Sequence, residues 1–167
     1  MDFKGMAYKF GDDINTDYII SSRRKRDTLD LDILKQYIME DIDESFAKRV
    51  KENDIIVAGE NFGCGSAMEV ASLVIKAAGI NVILAKSFSR TFYRNGINGG
   101  ILLVECDTDM FSTSDILKVE ADKDKIKIEN CSKNTSVEAQ PLDEITMGLI
   151  EIGGLVNFIK EKGDFQI

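Results

Sequence analysis

The chain has 167 residues, 44% of them hydrophobic, with 21 Lys and Arg against 29 Asp and Glu, for a formal net charge of −8. That is enough apolar material for one globular domain, taken as residues 1–167, and the acidic balance excludes a general nucleic-acid role because no basic face would offset phosphate repulsion. No apolar run reaches the roughly 18–20 residues that cross a bilayer, and no basic-then-apolar leader opens the chain, so a cytoplasmic protein with no membrane partner is expected.

The chain contains no histidine, which removes the usual general base and the commonest metal ligand. Cys64, Cys106 and Cys131 are widely spaced and form no C-x-x-C pair, so neither a zinc site nor a self-contained iron–sulfur site is predicted. Chemistry here must run on hydroxyl, carboxylate, guanidinium, amine, thiol or backbone groups.

In chain order, residues 1–20 read as extended, with Met6–Phe10 alternating and Asp12 to Asp17 forming a turn. Leu31, Leu34, Ile38 and Ile42 recur at helical spacing and predict a helix over 29–42. Asp54–Ala58 and Asn81–Ala85 are candidate buried strands. Between them lies Asn61-Phe-Gly-Cys-Gly-Ser66, followed by a helical pattern from Ala67 to Ala78. A short helix is predicted from Phe88 to Asn95, then Gly99-Gly100 and a strand over Ile101–Glu105. Val119–Ala121 and Ile126–Glu129 flank a polar turn and suit a hairpin. The tail from Leu142 to Lys162 reads as two helical pieces broken at Gly153-Gly154. Strand–loop–helix alternation with an added hairpin predicts a compact α/β domain.

The glycine-bracketed segment is the most informative. Ser66 followed by Glu69 reads as a capping box at the start of the next helix, a feature that is also common as pure structure. Glycines admit unusual dihedrals and close ligand approach, and the free amides of a helix start favour a carboxylate or phosphate. The spacing fits neither a dinucleotide fingerprint nor a P-loop. Cys64, one residue from the expected helix start, is a candidate for a lowered thiol pKa.

Three ordered motifs then resemble the small subunits of the isopropylmalate dehydratase and homoaconitase family, related to the swivel domain of aconitase. They are Tyr8-Lys-Phe-Gly-Asp-Asp-Ile-Asn-Thr-Asp17, Gly59-Glu-Asn-Phe-Gly-Cys-Gly-Ser66 and Ala85-Lys-Ser-Phe-Ser-Arg90-Thr-Phe-Tyr-Arg94-Asn95, with Gly153-Gly-Leu-Val-Asn-Phe-Ile-Lys160 similar to the family's ending. The resemblance implies a three-layer β/β/α swivel domain. It implies a large-subunit partner carrying a [4Fe–4S] cluster, with no cofactor in this chain, and a small hydroxy di- or tricarboxylate substrate. By position Ser66 is the serine that, as alkoxide, removes the proton beside a carboxylate, and Asp17 organises the site's hydrogen bonds. Gly65, Ala67 and Met68 would border the substrate; Asn61, Cys64, Lys86, Ser87 and Arg90 would form the supporting loop or subunit interface.

Two departures stand out. Where the family places a second serine and an arginine, this chain has Ala67 and Met68; losing a charge-assisted guanidinium contact would cost at least roughly 1.5–3 kcal/mol of binding. In the family's specificity loop the chain reads Arg23-Arg24-Lys25-Arg26. Arg24, Lys25 and Arg26 are therefore expected to bind substrate, Arg26 foremost, the alternative being a solvated basic turn docked on the large subunit. Three other readings stay open: a dehydratase of another substituted malate (dimethylmalate-type) or methylated tricarboxylate, a non-catalytic regulatory or assembly partner of a large subunit, and a free-standing anion-binding module.

Overall fold

A computed structural model describes residues 1–163; the last part of the expected 1–167 domain, residues 164–167, lies outside them. The short apolar runs become strands where expected: β1 (Asp2–Lys9), β2 (Ile55–Ala58), β3 (Val82–Ala85) and β4 (Leu102–Glu105). β2 and β3 are buried at every position, as parallel strands covered on both faces must be. Three further strands, β5 (Ile116–Ala121), β6 (Ile126–Asn130) and β7 (Thr135–Ala139), form an antiparallel meander. β5 and β6 alternate between buried and half-exposed residues, the pattern of a sheet with one wet face. β7 was not predicted.

The seven strands run in the order β4-β3-β2-β1-β5-β6-β7. β1 joins the two halves: Asp2 to Met6 pair antiparallel with β5, and Ala7 to Lys9 pair parallel with β2. At the change of partner, the Met6 amide donates to Asp54 Oδ1 at 3.0 Å instead of to a strand. Gly5 passes so close to the next segment that a Cβ there would lie 2.0 Å from the Asn53 carbonyl oxygen, so no larger residue fits.

The first connection, between β1 and β2, holds only short helices: α1 (Thr16–Ile19), α2 (Ser22–Asp27), α3 (Leu31–Leu34) followed by a 3-10 turn at Lys35–Tyr37, and α4 (Phe46–Arg49). The continuous helix expected over 29–42 is thus absent. Asp30 N-caps α3 through the Asp32 amide, and Met39 takes a left-handed φ of +60°, which ends helical winding while still burying Leu34, Ile38 and Met39. Two longer helices follow, α5 (Val70–Ala77) and α6 (Arg90–Asn98), then α7 (Glu144–Glu151) and α8 (Leu155–Lys162). α6 packs on β4, α5 and α7. The predicted break at Gly153-Gly154 is present, with φ of +83° and +107°. A Cβ at Gly154 would lie 2.5 Å from the Asn98 carbonyl oxygen, so the glycines let the tail turn close against the end of α6. The result is the β/β/α arrangement that the resemblance implies.

Candidate functional site

The loops leaving β1, β2 and β3 all emerge at the carboxyl ends of the parallel strands, the edge where open α/β sheets bind ligands. Backbone pairing carries on beyond the strands and locks the three loops together. Gly59 donates to the Gly11 carbonyl at 3.0 Å, Lys86 to Gly59 at 3.0 Å, Asp13 to Glu60 at 2.8 Å, and Phe62 to Ser87 at 3.0 Å. The Ser89 hydroxyl donates to the Gly63 carbonyl at 2.7 Å. Beneath them, Phe62 is fully buried and meets Phe88 and Phe92 edge-on, with ring centroids 6.1 and 5.2 Å away. The loop edge therefore rests on an aromatic floor.

Asp13 and Asn61 both adopt left-handed backbone, at φ of +53° and +58°, and the Asn61 side-chain amide donates to Asp13 Oδ1 at 2.7 Å. The Ser87 hydroxyl accepts from the Asn61 amide at 2.8 Å. Lys86 pairs with Asp109 Oδ1 at 2.7 Å, which raises its pKa. Asn61, Ser87 and Lys86 thus brace the loops. Arg90 and Arg94 sit exposed on α6.

The segment Gly65–Glu69 is exposed throughout, including Ser66. It is not the start of a helix. α5 begins at Val70 with Glu69 in the N-cap position and no side-chain cap, so the predicted Ser66–Glu69 capping box does not form. The reason lies in who takes the carbonyls. The Thr16 hydroxyl donates to the Ser66 carbonyl at 3.2 Å and the Asn95 side chain to the Ala67 carbonyl at 3.2 Å, so groups that would close a helical turn are held by other elements. Among the described residues the Ser66 hydroxyl and the amides of Ser66, Ala67 and Met68 have no protein partner. A solvent-facing hydroxyl lies within a short run of free N–H donors, an arrangement suited to an anion.

Asn15, Thr16 and Asn95 are the residues that sequence reasoning left without a role. The Thr16 amide donates to the Cys64 carbonyl at 2.7 Å, and Asn15 and Cys64 form a parallel bridge. Asn15 also N-caps α1, accepting from the Asp17 amide at 2.9 Å. Gly65, at φ +97°, lies against Asn15: a Cβ there would meet its Oδ1 at 2.5 Å. The run Asn15-Thr16-Asp17 is therefore a clasp on the Ser66 loop, and its Asn-Thr-Asp polarity was the available signal.

Asp17 Oδ1 accepts from the Ser22 hydroxyl at 2.8 Å and from Lys25 Nζ at 3.0 Å. These bonds, then the lysine's charge, hold the Asp17 carboxyl below its ordinary value. The four-cation run divides by function of geometry. Arg24 turns inward, with Nε and Nη2 on the two Glu40 carboxylate oxygens at 2.8 and 2.9 Å and its guanidinium 3.6 Å above the Tyr37 ring centroid. Lys25 is buried, whereas a solvated basic turn was the alternative expectation. Arg23 reaches Glu40 at 3.9 Å. Arg26 is exposed on α2 with no partner among the described residues.

The expectation of a lowered Cys64 pKa fails. Burial and the neighbouring Asp13 charge push the thiol up, because no helix starts beside it. Cys106 is pushed to about 12, mainly by burial.

Residues 18–109 match the Aconitase C-terminal domain family. The chain is 45% identical to the methanogen homoaconitase small subunit of Methanocaldococcus jannaschii, with 97% of this chain and 94% of that protein covered. It is 47% identical to the 3-isopropylmalate dehydratase small subunit of Caldanaerobacter subterraneus, with 95% and 98% covered. Its fold superposes on the crystal structure of 3-isopropylmalate dehydratase from Methanocaldococcus jannaschii with a TM-score of 0.91 at 44% identity, covering 98% of this chain and 96% of that one. With the parallel-edge loop and the aspartate clasp in place, the chain belongs to the aconitase C-terminal domain family, among the small subunits of 3-isopropylmalate dehydratases and homoaconitases.

Proposed function

We propose that the chain is the small subunit of a cytoplasmic hydro-lyase that interconverts a hydroxy di- or tricarboxylate and its unsaturated partner, with Ser66 as base. The observation that carries this reading is an exposed Ser66 on a loop clasped to the Asp17 segment at the carboxyl edge of the parallel strands. In the dehydration direction Ser66, as alkoxide, takes the proton from the carbon beside a carboxylate. That electron pair forms the carbon–carbon double bond as the hydroxyl leaves as hydroxide, and a proton from solvent turns that hydroxide into water while Ser66 gives up the proton it took and returns to the alkoxide. The free amides of Ser66, Ala67 and Met68 stabilise negative charge next to the base without reorganising.

This chain's donors do not fit an iron–sulfur cluster. Among the described residues no three Cys, Asp or Glu side chains converge on a possible metal position, and burial raises the pKa of both the Cys64 and the Cys106 thiol, which disfavours the thiolate a cluster needs. A [4Fe–4S] cluster on a large-subunit partner would supply Lewis-acid assistance to the departing hydroxyl; the "small subunit" names of the relatives support such a partner. The Ser66 loop, open on this chain, would be closed by that partner.

Met68 is 46% exposed beside Ser66, which favours a substrate carrying an apolar substituent, as in an isopropyl- or dimethyl-substituted malate. With Arg24 and Lys25 engaged internally, Arg26 is the cation left to meet a distal carboxylate.

The test is Ser66→Ala in the complex reconstituted with its large subunit, followed by the ultraviolet absorbance of the unsaturated product over a panel of hydroxy acids. Turnover should fall by about 10²–10⁴-fold, with the unfolding curve unchanged because the hydroxyl has no internal partner. Parent-level turnover would favour a regulatory or assembly role instead.

A further inference from the structure

The conspicuous unused group is the buried ammonium of Lys25. Its side chain is 5% exposed, and its polar contact among the described residues is Asp17 Oδ1, at 3.0 Å. A buried cation is costly unless paired, and an apolar side chain of similar length would fill the same space; replacing a buried pair by well-packed hydrophobic residues is often neutral or stabilising. Packing therefore does not account for a charge at this position. What the charge does is fix Asp17. Lys25 and Ser22 both donate to the same carboxylate oxygen, Oδ1, while Oδ2 accepts nothing within the described chain.

Asp17 sits in turn on α1, whose cap Asn15 abuts Gly65 and whose Thr16 hydrogen-bonds the carbonyls of Cys64 and Ser66. A continuous set of contacts thus runs from Lys25 through Asp17 and Thr16 to the Ser66 loop. We infer that Lys25 is a positioning residue: its ammonium, supplied from α2, holds one oxygen of Asp17 so that the other remains an open acceptor on the segment that clasps the Ser66 loop. This deepens the hydro-lyase reading and rests on it. It also takes Lys25 off the substrate, since an ammonium occupied by Asp17 and enclosed by the core is not available to a carboxylate in solution.

The experiment compares Lys25→Met and Lys25→Arg with the parent in the reconstituted complex. Lys25→Met should lower kcat at least ten-fold with KM within about two-fold, and should move the acid limb of the kcat–pH profile upward, because the neighbouring cation that keeps Asp17 ionised is gone. Lys25→Arg should restore part of kcat and return the acid limb towards the parent. Introduced into Asp17→Asn, Lys25→Met should have little further effect, as befits residues acting through one another.

A parent-like kcat and pH profile in Lys25→Met overturns the inference. So does a loss that multiplies in full with that of Asp17→Asn. A rise in KM alone would return Lys25 to substrate binding. Should Lys25→Met fail to fold, Ser22→Ala removes the other bond to the same oxygen from the exposed side, and must shift the acid limb in the same direction; no shift overturns the inference. Carboxyl carbon-13 NMR titration of Asp17 in the full chain separates this from failure of the proposed activity. The Asp17 titration must move up in Lys25→Met even if the complex turns over no hydroxy acid, and a static titration refutes the positioning role whatever the enzyme does.

Discussion

Gly65→Ala tests the clasp between the two loops. The backbone at Gly65 has φ of +97°, where an L side chain costs about 1–2 kcal/mol. The new Cβ would also stand 2.5 Å from Asn15 Oδ1 and 2.7 Å from its Cγ, so the Asn15 side chain must leave. Its departure forfeits the cap on the Asp17 amide, a further cost of about 1 kcal/mol. If the loop stays in place, unfolding free energy falls by about 2–3 kcal/mol, which at a urea m-value of about 2 kcal/mol/M lowers the midpoint by about 1–1.5 M. If the loop moves instead, the stability loss shrinks but Ser66 is displaced, and a shift of about 1 Å costs turnover on the order of 100-fold. Urea unfolding of the chain and product absorbance of the complex measure the two branches together. Gly148→Ala is the matched control: that position lies inside α7 with nothing within 4 Å of a new Cβ, and should gain about 0.5–1 kcal/mol. A Gly65→Ala protein with parental midpoint and parental turnover would refute the claim that Asn15 and Gly65 hold the Ser66 loop.

Two further outcomes follow from the polar contacts. The two Arg24 hydrogen bonds hold the Glu40 carboxyl below its ordinary value of 4.5, and a depressed carboxyl contributes stability present above its unfolded-state value and lost as pH falls through the folded-state one. Thermal melts below about pH 4.5 should therefore show Glu40→Gln losing less stability on acidification than the parent, although it is less stable at neutral pH. Cys131 is exposed, whereas Cys64 and Cys106 are half-buried, and burial raises the Cys64 thiol and pushes Cys106 to about 12; a thiol reagent at neutral pH should modify one cysteine per chain quickly and the remaining two more slowly, with the difference lost on unfolding.

Fully buried strands were legible because continuous apolar runs such as Ile55–Ala58 and Val82–Ala85 have few other uses in a chain of this size. The Gly153-Gly154 break was legible because both residues need left-handed backbone. The region between β1 and β2 was not. Its apolar residues repeat at helical spacing, yet the burial of Leu34, Ile38 and Met39 is achieved by a helical turn, a 3-10 turn and a left-handed residue in succession. The start of α5 was misread because local capping chemistry at Ser66 and Glu69 was outcompeted by Thr16 and Asn95, both far away in sequence. β7 escaped notice because its exposed residues, Thr135, Ser136 and Glu138, are polar and only Val137 and Ala139, both half-exposed, carry an apolar signal. For the site, the motif positions were evident, but the sequence could not distinguish Arg26 from Lys25: solvent and core are adjacent choices on a six-residue helix, decided by where Asp17 lies.

The shared strand β1 has a consequence for biosynthesis. Asp2 to Met6 are synthesised long before β5, yet Asp2 finds its ladder partner only in Glu120. At about 5–20 residues per second, synthesis of that partner lags by on the order of ten seconds. Until then the nascent chain can assemble the parallel half around Ala7 to Lys9 while Asp2 to Met6 dangle with unpaired amides and carbonyls, an open edge of the kind that invites association with another chain. Amino-terminal extensions, which load this waiting edge, should impair yield more than carboxyl-terminal ones of equal size.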